Sequence, residues 1–253
     1  MTAALVAPGV RRILAPNPGP MTLEGTNTYV VDADGAGTAG GGVVVVDPGP
    51  LLEEHLAEVA SYGPVVAAVL THRHDDHAGG IDRFAAMTGA PVLDRTELRE
   101  DGGELGLAGL RVFHTPGHTA DSVCYVRGDV VFTGDTILGR GTTVVAYPDG
   151  NLTDYLRSLP RLRDLGDVTV LPGHGPVLPS AREVASSYLT HRAERLEQVR
   201  AAIAAGDTTA RQVVERVYAD VDPILWPAAE LSVRAQLAHL AGPAGPAGVE
   251  HAT

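Results

Sequence analysis

Residues 71–77 read Thr71-His72-Arg73-His74-Asp75-Asp76-His77, and four of these side chains, His72, His74, Asp76 and His77, are metal ligands by type. His72 and His74 lie two apart, a spacing that points both to one side at the end of a strand. Asp76 and His77 follow at once, where the chain leaves the strand and can turn a second pair of ligands toward the same point. Imidazole and carboxylate are donors that a divalent transition metal such as zinc accepts. With 10 His and 18 Asp in 253 residues, the pattern H-x-H-x-D-H arises by chance on the order of one time in a thousand.

Three further segments carry the same kind of residue. Thr115-Pro116-Gly117-His118-Thr119 sets a histidine on a tight turn after a strand pattern, and Phe132-Thr133-Gly134-Asp135-Thr136 sets an aspartate directly after another. Leu171-Pro172-Gly173-His174-Gly175-Pro176 repeats the strand, turn and histidine. Glycine beside each ligand lets the backbone bend sharply and approach an ion closely. Seven ligands are too many for one tetrahedral ion but suit two that share a carboxylate.

The elements that must position these loops are legible as short runs. Strand patterns recur at Thr28–Val31, Val43–Val46, Val65–Leu70, Leu110–His114, Val123–Val126, Val130–Phe132 and Val168–Leu171, with helical patterns at Leu51–Ala60, Ile81–Met87 and Leu152–Leu165. Asn151 is placed to cap the last of these, and Pro160 is expected to kink or split it. Residues 33–42 are glycine-rich and predict a flexible hairpin tip. From Ser180 onward strong strand runs stop. Ser180–Ala205 predicts one long helix, Thr208 caps a second, and Asp222 or Pro223 opens a third that ends near Leu240. The division expected is a mixed α/β unit over 1–179, a helical unit over 180–241 and a disordered Gly-Pro-Ala tail over 242–253.

Composition bounds the partners. The formal net charge is −12, and all 19 cationic residues are arginine. Residues 1–179 hold 12 Arg against 22 acidic residues, and 180–240 hold 7 against 8. No basic patch that would track a phosphate backbone is visible, which disfavours RNA as a partner. No apolar run suggests a signal peptide or a membrane span, so the cytoplasm is the expected location. One cysteine, Cys124, excludes an internal disulfide and reads as a buried structural thiol within a strand.

The ligand motifs resemble those of the metallo-β-lactamase-fold hydrolases. The resemblance implies an αββα sandwich in which His72, His74 and His118 hold a first metal, Asp76, His77 and His174 hold a second, and Asp135 bridges them. A bridging aspartate makes the site similar to glyoxalase II and not to the antibiotic-degrading β-lactamases. Beyond the ligands, Pro18–Tyr29, Gly139–Val144, Asp154–Leu159 and His191–Arg195 resemble the β-lactamase-like protein 2 group. The region around Tyr218 and Ala228–Leu240 resembles that group's C-terminal winged-helix-like unit, although no wing hairpin follows Leu240. Coverage runs from about residue 10 to 240. By that resemblance the animal members are similar to single-strand endoribonucleases, and fungal relatives act as thioesterases on acyl carrier proteins.

The expected activity is a dinuclear hydrolase that generates hydroxide on two divalent ions, zinc by default, and uses it on an ester or thioester. Its substrate would be a small molecule or an acyl-carrier-linked chain. An endoribonuclease and a non-catalytic scaffold are the alternatives. Asp76 is expected to orient the nucleophile and receive its proton. Asp47, at the end of the Val43–Val46 strand, is a candidate to orient a ligating imidazole or to cap its turn, and Asn27 with Thr26 either shape a backbone turn or line the pocket. His191 and Arg192 are read as holding the helical unit to the core, with contact to a substrate's phosphate or carboxylate as the alternative. His114 is assigned to the core or to the surroundings of the ligands, His55 to a solvated helix face, and His239 and His251 to no role.

Overall fold

The computed structural model describes residues 3–33, 41–94, 98 and 100–242. The glycine-rich tip read over 33–42 falls largely outside them, as does the tail expected after Gly242. Among the described residues the chain runs β1 (Ala4–Ala7), β2 (Val10–Leu14), β3 (Asn27–Asp32), β4 (Val43–Val46), α1 (Glu53–Ala60), β5 (Val65–Val69), α2 (Asp75–Ala78), α3 (Ile81–Thr88) and β6 (Val92–Leu93). It continues through β7 (Arg111–His114), β8 (Val123–Arg127), β9 (Val130–Gly134), α4 (Leu152–Arg163), β10 (Thr169–Pro172), α5 (Ala181–Ala204), α6 (Ala210–Val217) and α7 (Trp226–Ala241).

Strands β1 to β6 form one sheet in chain order, and β10, β9, β8 and β7 form the other. The β4–β5–β6 pairings and the β9–β10 pairing are parallel, and the rest are antiparallel. Strand alternation assigns each side chain to a layer. In β4, Val44 and Val46 face the opposite sheet while Val43 and Val45 face α1 and α3. In β8, Val123 and Tyr125 face inward, and Cys124 and Val126 face α4 and α5. Tyr29 and Phe132 meet edge to face between the sheets at 5.3 Å, a packing worth about 1 kcal/mol beyond burial. The result is the four-layered αββα sandwich, α/β in class, that the ligand motifs implied.

Two expectations about helices need correction. Pro160 does not split α4, which continues to Arg163 and ends one turn past the proline, with the Asp164 N–H donating to the Pro160 carbonyl. A proline removes one helical bond, here the one to the Leu156 carbonyl, and the helix continues across that single loss. The cap of α6 is Thr209 instead of Thr208, because Gln212 closes a reciprocal capping box with it. The Ala4–Leu14 hairpin is an element that the sequence pattern does not reveal. Its strands are short, and Arg11 and Arg12 interrupt the apolar pattern of β2.

Helix α5 links the sandwich to the C-terminal helices. Tyr188 and Leu196 pack with α4 and the outer face of the second sheet, whereas Val199 and Ala202 pack with α6 and α7. No described helix is long and apolar enough to cross a membrane.

Candidate metal centre

All seven ligand candidates converge where the strand ends of both sheets open on one edge. His72 and His74 follow β5, Asp76 and His77 lie on α2, and His118, Asp135 and His174 follow β7, β9 and β10. Strand β5 ends at Val69, so strand alternation is not what aligns His72 with His74. His74 instead caps α2 in an extended conformation, and the α2 turn then swings Asp76 and His77 around to the same point.

Two groups form, each with ligand atoms within 4.8 Å of one another: His72, His74 and His118, and Asp76, His77, Asp135 and His174. In the first, His74 Nδ1 lies 3.1 Å from His72 Nε2 and 3.1 Å from His118 Nε2. In the second, His77 Nε2 and His174 Nε2 are 3.3 Å apart and lie 3.3 and 3.4 Å from Asp135 Oδ1. Asp135 Oδ2 faces the first group, 3.7 Å from His118 Nε2. Asp76 Oδ2 lies 3.0 Å from His174 Nε2 and 3.6 Å from His77 Nε2.

The outward nitrogens settle where the imidazole protons sit. A carbonyl can only accept, so His118 Nδ1 donates to Val144 O (2.8 Å) and His174 Nδ1 donates to Gly25 O (3.1 Å). His77 Nδ1 donates to Asp47 Oδ2 at 2.8 Å. The Thr71 hydroxyl donates to the same carboxylate at 2.6 Å and can therefore accept from His72 Nδ1 at 3.1 Å. His74 Nε2 donates to Asp149 Oδ2 at 3.3 Å. Five inner imidazole nitrogens are thereby turned onto one another and onto two carboxylates. Nitrogens facing at these distances repel unless a proton or a metal cation lies among them. Asp135 Oδ1 is buried and has no hydrogen-bond partner. The donor set thus fits divalent metal, and in number it fits two ions.

The field around the two groups differs in sign. Burial works against charge on His77, yet the Asp135 and Asp47 carboxylates hold its pKa well above the usual imidazole range. Burial also opposes His174, but the Asp135 and Asp76 carboxylates beside it raise its pKa to about 9. Asp135 is buried too, and His77 and His174 still hold its pKa well below the carboxylate range. Burial, reinforced by neighbouring imidazoles, pushes His72 well down, and burial lowers His118. The carboxylate side attracts positive charge, while burial opposes a proton on His72 and His118.

The backbone is cut to fit this cluster. A Cβ on Gly173 would sit 2.5 Å from His77 Cε1 and 2.6 Å from Asp135 Oδ1. Gly134, at φ 48°, leaves room for Thr71, whose hydroxyl would otherwise lie 2.4 Å away. Asp47 accepts the Thr71 N–H at 2.7 Å as well as the Thr71 hydroxyl and His77. Thr26 and Asn27 are buried. Asn27 Nδ2 donates to Pro172 O and Gly175 O, both at 2.9 Å, and so clamps the turn that carries His174.

Other residues fall outside the cluster. His114 donates to Leu98 O at 2.8 Å. His55 is not solvated. It is fully buried, its Nε2 lies 3.0 Å from Thr28 Oγ1 and 3.1 Å from Pro48 O, and burial lowers its pKa. The acidic residues flanking it in sequence conceal the inward face it shares with Leu56 and Val59. His239 meets Thr153 Oγ1 at 2.8 Å, away from the ligands. Cys124 is buried beside Thr115, and burial pushes its thiol up to about 11. Two outer partners escape a reading of the sequence. Thr71 stands directly before the first motif, a position that could mark it, whereas Asp149 sits in a Tyr-Pro-Asp-Gly turn that signals only a turn.

Comparison with known proteins bears on this geometry. Residues 21–93 and 88–174 match the Metallo-beta-lactamase superfamily, and 209–242 match the Beta-lactamase associated winged helix domain. The chain is 35% identical over 236 residues to a Beta-lactamase-like protein 2 homolog of Caenorhabditis elegans, covering 83% of this chain and 77% of that one. It is 32% identical over 241 residues to an Atrochrysone carboxyl ACP thioesterase of Aspergillus chevalieri, covering 85% and 75%. A metallo-beta-lactamase family protein of Thermus thermophilus superposes with a TM-score of 0.76 at 24% identity, over 93% of this chain and 94% of that chain.

Proposed function

Starting from a chain that belongs to the metallo-beta-lactamase superfamily and is a metal-dependent hydrolase, we propose that it cleaves an acyl thioester or ester, carried on a small molecule or an acyl carrier. His72, His74 and His118 would hold one divalent ion, Asp76, His77 and His174 the second, and Asp135 both. The observation that carries this reading is the inward convergence of five imidazoles and two carboxylates in two adjoining groups. Two such ions supply the Lewis acidity that makes water nucleophilic near neutral pH. Zinc is the default, and iron and manganese accept the same donors.

The chain's own residues divide the remaining work. Asp76 keeps about a quarter of its side chain exposed (27%) whereas Asp135 keeps 11%, so Asp76 is the carboxylate able to meet a water or substrate. It orients the nucleophile and takes its proton. Asp47 and Thr71 hold His77 and His72 in the tautomer whose Nε2 faces the centre. Asn27 fixes the His174 turn. The cytoplasm is the proposed location.

Two findings favour a thioester. The Aspergillus relative is named for that activity, and a net charge of −12 with no lysine repels a polyanion. The resemblance to the β-lactamase-like protein 2 group along most of the chain is what supports single-stranded RNA as the second reading. Offering acyl thioesters and unstructured RNA to one metal-loaded preparation separates the two. Thioester turnover that disappears in Asp76→Asn is expected. Salt-sensitive RNA cleavage without thioester turnover would reverse the choice, and a folded, metal-free chain inactive on both would indicate a scaffold.

A further inference from the structure

We propose that Arg192, on α5 and outside both ligand groups, is a positioning residue that fixes the metal centre from the C-terminal side. The inference rests on the reading that Asp135 and His118 hold ions. Arg192 is 4% exposed, and among the described residues no carboxylate pairs with it. Its Nη2 donates to Thr143 O, its guanidinium stacks on Tyr155 at 5.1 Å, and its Nε has no partner. A buried cation held by one carbonyl and a ring face is costly to fold around.

What it holds connects directly to the ligands. Thr143 Oγ1 donates to Asp135 O at 2.7 Å, and the next residue supplies Val144 O, which accepts His118 Nδ1 at 2.8 Å. Tyr155, under the guanidinium, donates to Thr136 O at 2.6 Å. Arg192 and Tyr155 therefore grip the segment from Asp135 to Val144 from α5 and α4 at once. That segment carries the candidate bridging carboxylate and sets the tautomer of one histidine in the other group. An arginine that served packing alone would have no reason to bear on both groups through one loop.

The test reads metal retention and geometry, not turnover. Cobalt-loaded wild type, Arg192→Met, Arg192→Lys and Thr143→Val are compared by release rate to a chelator and by visible absorption, with melting of each metal-free form as the control for fold. Arg192→Met should release metal at least about tenfold faster, in the range of lost outer-shell partners, and should alter the cobalt spectrum. Arg192→Lys should recover part of both, since an ammonium still reaches a carbonyl but does not stack. Thr143→Val should move both readouts the same way, and the double variant should be no worse than Arg192→Met alone. Wild-type release and spectrum in Arg192→Met, even with lowered melting, would overturn the proposal. If Arg192→Met fails to fold, Thr143→Val decides, and wild-type behaviour there also overturns it. A wild-type chain that takes up no metal defeats the functional reading as well, which separates the two failures.

Discussion

His77 and His174 are fully buried, and each turns its outer nitrogen to an interior acceptor, Asp47 or Gly25 O, while two carboxylates share their inner face. His74, in the neighbouring group, leaves 42% of its side chain exposed and leans on Asp149, which is 59% exposed. That group has no carboxylate beyond the distant oxygen of Asp135. The two halves of one centre are thus built by different means. One is a buried site with carboxylates among its imidazoles, and the other is a histidine triad with one member at the surface. Ion pairs and hydrogen bonds weaken as they meet solvent, so the first half should keep its ion longer, and stepwise chelation should empty the triad first.

Substitutions can break or sharpen this asymmetry, and the largest effect is expected where the halves meet. Asp135→Asn should lose at least one of two ions by elemental analysis and lower kcat/KM by at least about a hundredfold, beyond the range for outer partners. Retention of both ions would mean that Asp135 does not join the halves. Asp47→Ala comes next. It strips His77 and Thr71 of their common acceptor, and metal affinity measured by chelator competition should fall by about 10- to 100-fold. Asp149→Ala is the mildest, because an exposed contact is worth about 1 kcal/mol or less. Its loss should stay below about fivefold and fall on the more labile ion. A loss as large as that of Asp47→Ala would erase the distinction between the halves.

Much of the centre is legible before any coordinates. The seven ligand candidates stand out by type, by glycine neighbours and by their place after strand runs, and the structure brings them into two groups. The strand and helix cores are legible because Val43–Val46 or Ser180–Ala205 carry their period locally. What escapes is set by contacts distant in sequence. His55 looks solvated among glutamates, yet it is drawn in by Thr28 and the Pro48 carbonyl. Asn27 reads as a turn residue or a pocket residue, and only the fold shows that its amide holds Pro172 and Gly175, 145 and 148 residues away.

The amino-acid order alone determined which groups can bind metal and that they stand at element ends, because ligand chemistry and backbone periodicity are properties of short segments. Only the tertiary structure decided which nitrogen of each imidazole turns inward, which carboxylate is buried and which is open, and that Arg192 on α5 donates to the loop beside them. Those choices depend on acceptors and dielectric supplied by residues far apart along the chain, and no local pattern encodes such surroundings.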